Sequence, residues 1–318
     1  MIAKKGIASS VSSISSMGGF GEVPAETGTC NGPGFNLAAP KLRSGTVLCA
    51  RYEVRELIGR GGMGVVHAAH DRQRNQEIAI KVLAADLFAN PEAQAQFRRE
   101  AQITSNLNHP SVVNVYDLHM DGDLAFLTME LLRGKTLRQE MRERKTAGRP
   151  FSIEEAKRIV LELCDALKYA HHFTVHRDVK PENIWIDTDG HLKLMDFGLA
   201  GLLLDHERSR SGISNAGLSM GTPYYMAPEQ LKEGSPTDAR ADQYSAAALF
   251  YELLTGTVVA GMIGSLRKTR KDLPQGLSEV IHCALSVAPE DRYKDIAAFA
   301  LAITTGGDPI RWLPKNRI

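Results

Sequence analysis

Four polar side chains in one part of the chain have the types needed to handle phosphate and magnesium. Asp178, Lys180 and Asn183 lie close together, and Asp196 follows shortly after them. Proteins usually hold Mg²⁺ through one or two carboxylates together with substrate phosphates, and amide oxygens are equally hard ligands. We therefore expect Asn183 and Asp196 to hold the metal, which leaves Asp178 free to accept a proton from an attacking hydroxyl. Lys180 supplies a mobile cation for phosphate.

Short apolar stretches surround these residues, as expected for strands that carry loops at their ends. Residues 184–186 and 192–195 are mostly apolar, which places the polar groups between strands. Taken alone, His-Arg-Asp at 176–178 is compatible with a surface turn, and Asp-Phe-Gly at 196–198 with a hairpin corner. Their order and spacing together argue against chance.

The segment 176–183, followed by Asp-Phe-Gly, resembles the catalytic loop and metal-binding motif of protein kinases. Lys180 resembles the lysine of the serine/threonine-directed branch, of the bacterial, eukaryotic-like type. The resemblance covers about residues 45–303. It implies an α+β, two-lobed fold, with a small antiparallel β-sheet lobe and one main helix at 45–133 and a larger, mostly helical lobe at 134–303. It also implies transfer of the γ-phosphoryl group of MgATP to Ser or Thr hydroxyls of proteins.

A glycine-rich string precedes this region and has the form GxGxxG. The same string marks dinucleotide-binding folds, in which the glycines open a helix, but here they run into an apolar, strand-like stretch. The pattern therefore favours a glycine hairpin, whose backbone approaches phosphate oxygens without a Cβ clash. By resemblance this loop covers the nucleotide, through Ile58, Gly59, Arg60, Gly61, Gly62, Met63, Gly64, Val65 and Val66.

A further predicted strand, 77–83, carries Lys81 among apolar residues. An isolated strand lysine more commonly points to solvent, but its place after the glycine loop favours phosphate binding. By resemblance, Lys81 holds the α and β phosphates and is directed by an acidic partner. We expect that partner to be Glu100 on the predicted helix 91–107. Glu92 is disfavoured because the helix dipole already accounts for a carboxylate in the first turn.

The site for the adenine ring follows from the resemblance alone. Met129 is expected behind the ring and the backbone from Glu130 to Leu132 along its edge. Ala79 is also expected to contact the nucleotide. Trp185 stands where relatives usually carry an aliphatic residue beneath the ring. Stacking on the base and packing in the core both remain open for this indole.

Several C-terminal positions have expected supporting roles. Ser152 opens an amphipathic helix that extends to His172, and His171 and His172 are expected to interact with the helix dipole rather than with a metal. Asp242, at the start of a largely apolar helix, is expected to bond the catalytic-loop backbone. By resemblance, Arg292 is expected to pair with Glu229 within the same lobe, which would give a buried carboxylate the partner that it needs.

The stretch 199–219 is polar and irregular, and a loop of this length is usually functional or disordered. By resemblance it is an activation segment, and Arg177 offers its guanidinium to a phosphorylated loop residue. We expect Ser214 to be that residue, with Ser219 second. The peptide 221–229 closes the segment and is typical of kinases that act on proteins.

The bulk composition gives no support for a protein that binds nucleic acid or spans a membrane. Lys and Arg number 38 against 37 acidic residues, so the net charge of +1 gives no argument for nucleic acid or an anionic membrane. No apolar run is long enough for a membrane span, and the scattered cysteines (Cys30, Cys49, Cys164 and Cys283) indicate free thiols in a reducing, cytoplasmic compartment. Residues 1–44, rich in Ser and Gly, predict a disordered leader, and 304–318 have no assignable role.

Two alternatives remain. An ATP-binding pseudokinase scaffold commonly lacks one of Lys81, Asp178 or Asp196, all of which are present here. A small-molecule kinase commonly lacks the peptide 221–229. The expected cofactors are ATP and Mg²⁺, and the expected partners are protein substrates and a second copy for autophosphorylation in trans.

Overall fold

A six-stranded antiparallel sheet dominates the first part of the chain. The computed structural model describes residues 41–61, 64–83, 91–197, 223–232, 234–259 and 266–306. The strands lie in the spatial order β1-β2-β3-β4-β6-β5. Their bounds are β1 Val47–Leu48, β2 Tyr52–Gly61, β3 Gly64–Asp71, β4 Gln76–Leu83, β5 Val115–Asp121 and β6 Leu124–Glu130. The helix α1, Pro91–Ser105, connects β4 to β5 in sequence and contacts β5.

The glycine-rich string forms the end of one strand and the start of the next. Gly61 at the end of β2 pairs with Gly64 at the start of β3, so the predicted hairpin is confirmed and a helix-opening loop is excluded. A Cβ atom at Gly64 would lie 2.0 Å from the carbonyl oxygen of Val82, so β3 and β4 approach too closely for any side chain there.

The two faces of this sheet carry different side chains. Val66 lies directly opposite Lys81, and residues directly opposite in an antiparallel pair share a face, which we call the inner face. The outer face carries His67 and an apolar cluster of Leu48, Tyr52, Val54, Val65, Ala69, Ile78, Ile80, Val82 and Phe126. Leu42, which precedes the predicted boundary at residue 45, also packs against this cluster.

The second part of the chain is mainly helical. A small sheet has the order β7-β8-β9, formed by Gly134–Thr136, Ile184–Asp187 and Leu192–Leu194. The helices are α2 Leu137–Thr146, α3 Ile153–Ala170, α4 Arg240–Thr255, α5 Leu266–Thr269, α6 Gln275–Ala284 and α7 Ile296–Thr305. Short 3-10 turns are Pro181–Asn183, Pro223–Tyr225, Pro228–Leu231 and Pro289–Asp291.

The two longest helices of this part form its core. Ser152, the predicted start of the helix, caps α3 by accepting the Glu155 N–H at 3.1 Å, and Glu155 accepts the Ser152 N–H at 2.7 Å, which together form a capping box. The helix α4 is buried nearly all round and packs against α3, α6 and α7. Because α4 lies inside the lobe, it is a rigid base for loops that bond to its ends.

The two-lobed α+β architecture is confirmed, and one strand is shorter at its start than its sequence pattern indicates. Residues 112–118 have the pattern of a strand, but β5 begins at Val115. The preceding residues bond elsewhere: Val112 bridges to Leu194 of β9, and the Val113 N–H donates to the Leu194 carbonyl at 3.0 Å. Residues 1–40 and 307–318 lie outside the described residues, so the leader and the tail beyond Gly306 stay predictions.

Candidate active site

Three of the predicted catalytic side chains meet in the loop between α3 and β8. Lys180 Nζ lies 2.9 and 2.7 Å from the two carboxylate oxygens of Asp178. The Asn183 amide donates to the backbone carbonyl and to the Oδ2 atom of Asp178, both at 2.9 Å. The Asp178 side chain is only 10% exposed, and the two donors hold its carboxylate in one orientation. A fixed carboxylate beside a cation suits acceptance of a proton near a phosphate.

Lys81 and Asp196 come from distant parts of the sequence and form an ion pair. Lys81 Nζ lies 2.6 Å from Asp196 Oδ1, and the lysine side chain is 7% exposed. Burial by itself disfavours the charged carboxylate, but the attraction of Lys81 outweighs it and holds the pKa of Asp196 below its ordinary value. Asp196 therefore stays ionised at neutral pH. Its φ of 62° is uncommon outside glycine and indicates a conformation imposed by its surroundings.

The donor set around Asp196 fits a magnesium ion. Asp196 supplies an ionised carboxylate of which one oxygen bonds Lys81, and Asn183 supplies an amide whose nitrogen is committed to Asp178. That commitment turns the Asn183 side-chain oxygen away from Asp178 as an acceptor. Carboxylate and amide oxygens are the hard ligands that Mg²⁺ takes alongside phosphate oxygens. Asn183 is also tied to the residue that precedes Asp196, because the Met195 N–H donates to the Asn183 carbonyl at 2.9 Å.

The start of the catalytic loop is fixed to α4 by Asp242, as predicted. This carboxylate is fully buried and accepts the N–H groups of His176 at 2.8 Å and Arg177 at 2.7 Å. His171 Nε2 lies 2.8 Å from the same carboxylate, a contact that the predicted dipole role did not include. His172 does bond a carbonyl in the last turn of α3, that of Tyr169, at 3.1 Å.

Glu100 is the predicted partner of Lys81, but the carboxylate that Lys81 contacts is that of Asp196. Glu100 on α1 is partly buried, and burial raises its pKa, while the charges of Arg177 and Arg99 act in the opposite direction. Within the described residues, the ion pair of Lys81 is with Asp196, and Glu100 is not brought to it. The positive charge of Lys81 is already balanced by the Asp196 carboxylate, which lies 2.6 Å away. The Lys81–Glu100 pair therefore stays a prediction.

The residues predicted around adenine divide between the two faces of the large sheet. Ala79 lies opposite Met129 of β6 and shares the inner face with Lys81, together with Val66. Val65 lies on the outer face inside the apolar cluster, and Arg60 lies directly opposite it. The structure therefore separates Val65 and Arg60 from the predicted nucleotide residues of the inner face. Gly59 and Arg60 pair within the β2–β3 hairpin, Ile58 is 48% exposed, and Gly62 and Met63 lie outside the described residues.

Trp185 bonds the backbone beside residues 130–132, which are predicted to lie along the edge of the adenine and which we call the hinge. Its Nε1 atom donates to the Arg133 carbonyl at 3.0 Å. Gly134 follows with a φ of 125°, and a Cβ there would lie 2.2 Å from the carbonyl oxygen of Ile186. No side chain fits between β7 and β8 at this point. The indole is thus neither free nor simply packed in the core, and its stacking on a base stays a prediction.

Sequence reasoning missed Lys193. Its Nζ atom lies 2.8 and 3.2 Å from the two carboxylate oxygens of Glu130, the first residue of the predicted hinge. A lysine alternating with leucines in a short strand has the ordinary pattern of a solvated side chain, so the sequence carried no signal for this pair. Leu132 lies partly buried in the hinge, between Glu130 and Arg133.

The region after the activation segment is held by a predicted ion pair. Arg292 donates to both carboxylate oxygens of Glu229, at 2.6 and 2.7 Å. Beside it, the Gln230 amide donates to the Arg177 carbonyl at 2.9 Å and links this region to the catalytic loop. Other predictions on this segment lie outside the described residues, among them Gly198, Ser214, Ser219 and Thr222.

Comparison with known proteins agrees with this geometry. The family model for the protein kinase domain matches residues 52–296, which is more than half of the chain. The chain belongs to the protein kinase family. This kinase is 38% identical over 269 residues to serine/threonine-protein kinase PknB of Mycolicibacterium smegmatis, a match covering 79% of the chain and 42% of the relative. PknB of Mycobacterium tuberculosis is 37% identical with the same coverage. The resemblance to the bacterial serine/threonine type is thereby confirmed.

A solved structure supports the same placement. This kinase matches the crystal structure of the Mycobacterium tuberculosis PknI kinase domain with a TM-score of 0.69 and 28% identity, over 84% of its own chain and 100% of that chain. It spans less than half the length of the PknB relatives that it matches. Among the described residues, no helix is both long and apolar enough to cross a membrane.

Proposed function

We propose that this kinase transfers the γ-phosphoryl group of MgATP to Ser or Thr hydroxyls of proteins. The observation that carries the proposal is the ion pair of Lys81 with Asp196, 2.6 Å long, in a chain where Asp196 is joined through Met195 and Asn183 to the Asp178–Lys180 pair. These contacts gather a carboxylate base, two cations and two oxygen ligands around one place. Phosphoryl transfer needs such positioned charges more than it needs covalent chemistry.

Each residue has one role in this proposal. Asp178 accepts the hydroxyl proton and orients the nucleophile, and Lys180 neutralises charge on the transferring phosphoryl group. Lys81 exchanges Asp196 for the α and β phosphates when the nucleotide binds. Asn183 and Asp196 hold Mg²⁺, which when bound neutralises negative charge on the phosphates. The inner-face residues Val66, Ala79 and Met129 and the hinge from Glu130 to Leu132 hold the adenine.

Regulation belongs to the same proposal. A phosphoserine at Ser214 brings about −1.5 to −2 charges, and Arg177 beside Asp178 is the cation placed to receive it. Among the described residues the Arg177 Nε atom is buried without a hydrogen-bond partner, so this atom can donate to a new acceptor. Autophosphorylation in trans by a second copy, in the cytoplasm, completes the proposal.

The decisive experiment follows labelled phosphate from ATP to a generic basic-protein acceptor. The wild-type chain should label protein Ser and Thr, and Asp178→Asn should lower the rate by about 10² to 10⁴-fold, the usual contribution of a general base. A variant of the exposed Asp189 serves as the matched control, because it makes the same Asp→Asn change in a hairpin turn away from the loop. An Asp178→Asn variant with the wild-type rate would refute the assigned mechanism.

The same assay separates the two rivals. ATP binding without transfer to any acceptor would favour the pseudokinase scaffold. Transfer to metabolites but not to protein would favour a small-molecule kinase. Lys81, Asp178 and Asp196 are all present and in contact with partners, so nothing favours the scaffold.

A further inference from the structure

The hinge, residues 130–132, is bonded to the β8–β9 hairpin at its first residue and through Arg133, the residue directly after it. At one end Lys193 Nζ contacts Glu130 Oε1 at 2.8 Å and Oε2 at 3.2 Å. At the other end Trp185 Nε1 donates to the Arg133 carbonyl at 3.0 Å. Trp185 and Lys193 lie directly opposite each other in the hairpin, so their side chains leave the same face. The cross-strand neighbours Trp185 and Lys193 thus bond the two ends of the segment that contains the hinge.

The same hairpin carries the proposed metal ligands at its open end. Asn183 immediately precedes β8, and Asp196 follows β9 after Met195. The Met195 N–H donates to the Asn183 carbonyl at 2.9 Å, which closes the hairpin between the two ligands. A short, hydrogen-bonded hairpin is stiff, so the hinge contacts and the metal ligands move together.

Glu130 also forms hydrogen bonds that do not involve Lys193. Its Oε1 atom accepts the Asn114 N–H at 2.9 Å, and its own N–H donates to the Asn114 carbonyl at 2.9 Å. Residues 111–113 in turn bond Leu194 of β9 through the Ser111 carbonyl and the Val113 N–H. The hinge, the segment 111–114 and β9 therefore form a closed ring of contacts. The Glu130–Lys193 pair closes that ring.

The Glu130–Lys193 ion pair is buried enough to contribute to stability. The side chain of Lys193 is 18% exposed and that of Glu130 is 21% exposed. Exposed ion pairs contribute little because water and salt screen them, but partial burial lowers that screening. Lys193 also bonds both carboxylate oxygens, which fixes the direction of the pair as well as its length.

We propose that Lys193 is a positioning residue that, with Trp185, sets the separation between the hinge and the metal ligands Asn183 and Asp196. This inference rests on the proposed function, because it requires the base at the hinge and the metal at those ligands. MgATP engages both ends at once, so a fixed separation pre-organises its site. ATP without metal engages the hinge but not the ligands, and its binding depends less on that separation.

The test measures binding of ATP by titration calorimetry, once with Mg²⁺ and once with EDTA. Lys193→Met keeps the aliphatic stem and removes the charge. It should weaken MgATP binding by about three- to tenfold, as coupling through a packed network usually does, and metal-free binding by less than about twofold. Lys193→Arg should restore most of the loss. Trp185→Phe keeps the ring, loses the N–H, and should act in the same direction.

Two further variants provide a second test of the ion pair and a matched control. Glu130→Gln removes the charge and keeps an oxygen for the Asn114 N–H, so it tests the pair even if Lys193→Met does not fold. Arg158→Met is the matched control, because Arg158 donates to the Gly190 carbonyl at 2.9 Å and holds the opposite end of the same hairpin. It should leave both binding constants unchanged. KM for ATP should follow the binding constants, while kcat at saturating MgATP stays within about twofold.

The outcomes separate this inference from the function on which it rests. Equal weakening with and without Mg²⁺ would show that Lys193 only stabilises the fold, and no change in any variant would show that the contacts do not set the site; either overturns the inference. A wild-type chain that neither binds MgATP nor labels protein would overturn the proposed function and this inference with it. Wild-type transfer with unchanged variants would overturn the inference alone.

Discussion

Arg292 and Glu229 form a two-point ion pair inside the helical lobe, with the arginine side chain 0% exposed and the glutamate 8%. Arg292→Met would leave the Glu229 carboxylate buried without its partner, which typically costs about 3–5 kcal/mol of unfolding free energy. Urea denaturation should show this loss. Arg240→Met removes a more exposed pair with Asp238 and should cost less than about 1 kcal/mol. Adding Glu229→Gln to Arg292→Met should recover part of the loss, and no recovery would contradict the assigned cause.

Asp242→Asn is expected to lower kcat more than it lowers stability. The amide keeps one acceptor but turns an N–H₂ group toward a backbone donor of His176 or Arg177, which costs about 1–3 kcal/mol and shifts the loop that carries Asp178. Steady-state kinetics and urea melts on the same samples would separate the two effects. Asp295→Asn is the control, because Asp295 caps α7 by accepting the Ala298 N–H at 2.8 Å and asparagine caps equally well. Wild-type kcat in Asp242→Asn would show that the anchor is dispensable.

His67 should make the sheet sensitive to acid. The side chain is 1% exposed, and burial, followed by the nearby charge of Lys41, lowers its pKa below the ordinary 6.5. As the pH falls, this histidine therefore takes up a proton in the unfolded chain before it does so in the folded protein. The free energy of unfolding has its full value above about pH 6.5 and decreases as the pH drops below it. Denaturation between pH 7.5 and 5 should show a smaller acid loss in His67→Leu than in the wild type. Replacing the exposed His172 should leave the profile unchanged, and parallel profiles for His67→Leu and wild type would rule the effect out.

Ser214→Ala is expected to lower activity by about tenfold or more if loop phosphorylation orders the segment through Arg177. Phosphosite mapping of the active chain should find Ser214 modified, with Ser219 second. Ser209→Ala is the control within the same segment. Unmodified Ser214 in fully active protein would remove this switch.

The sequence predicted much of the catalytic loop because the residues that do chemistry there are near neighbours. The spacing of Asp178, Lys180 and Asn183 already places them in one loop, and the amphipathic pattern and capping residues of α3 predict its bounds closely. The bond from Asp242 to the loop backbone and the Arg292–Glu229 pair were predicted from family resemblance, which supplies long-range contacts that local patterns do not contain.

The remaining contacts depend on tertiary packing. Val65 was grouped with the glycine loop by its position, yet strand alternation turns it to the outer face. Residues 112–114 have the composition of a strand, but they bond β9 and the hinge instead of continuing the β5–β6 ladder. Nothing in the local sequence around Lys193 indicates Glu130 as its partner, because that contact exists only once the hairpin folds against the hinge.

Gly134 is a position at which the backbone accepts only glycine, and this is useful in protein engineering. The carbonyl oxygen of Ile186 would lie 2.2 Å from any Cβ placed at this position, at the point where the chain leaves the hinge for the small sheet. A library randomised at codon 134 and selected for phosphotransfer should therefore return glycine alone. Chimaeras that exchange one lobe for that of another kinase can be joined at this codon, with the glycine setting the register of the graft.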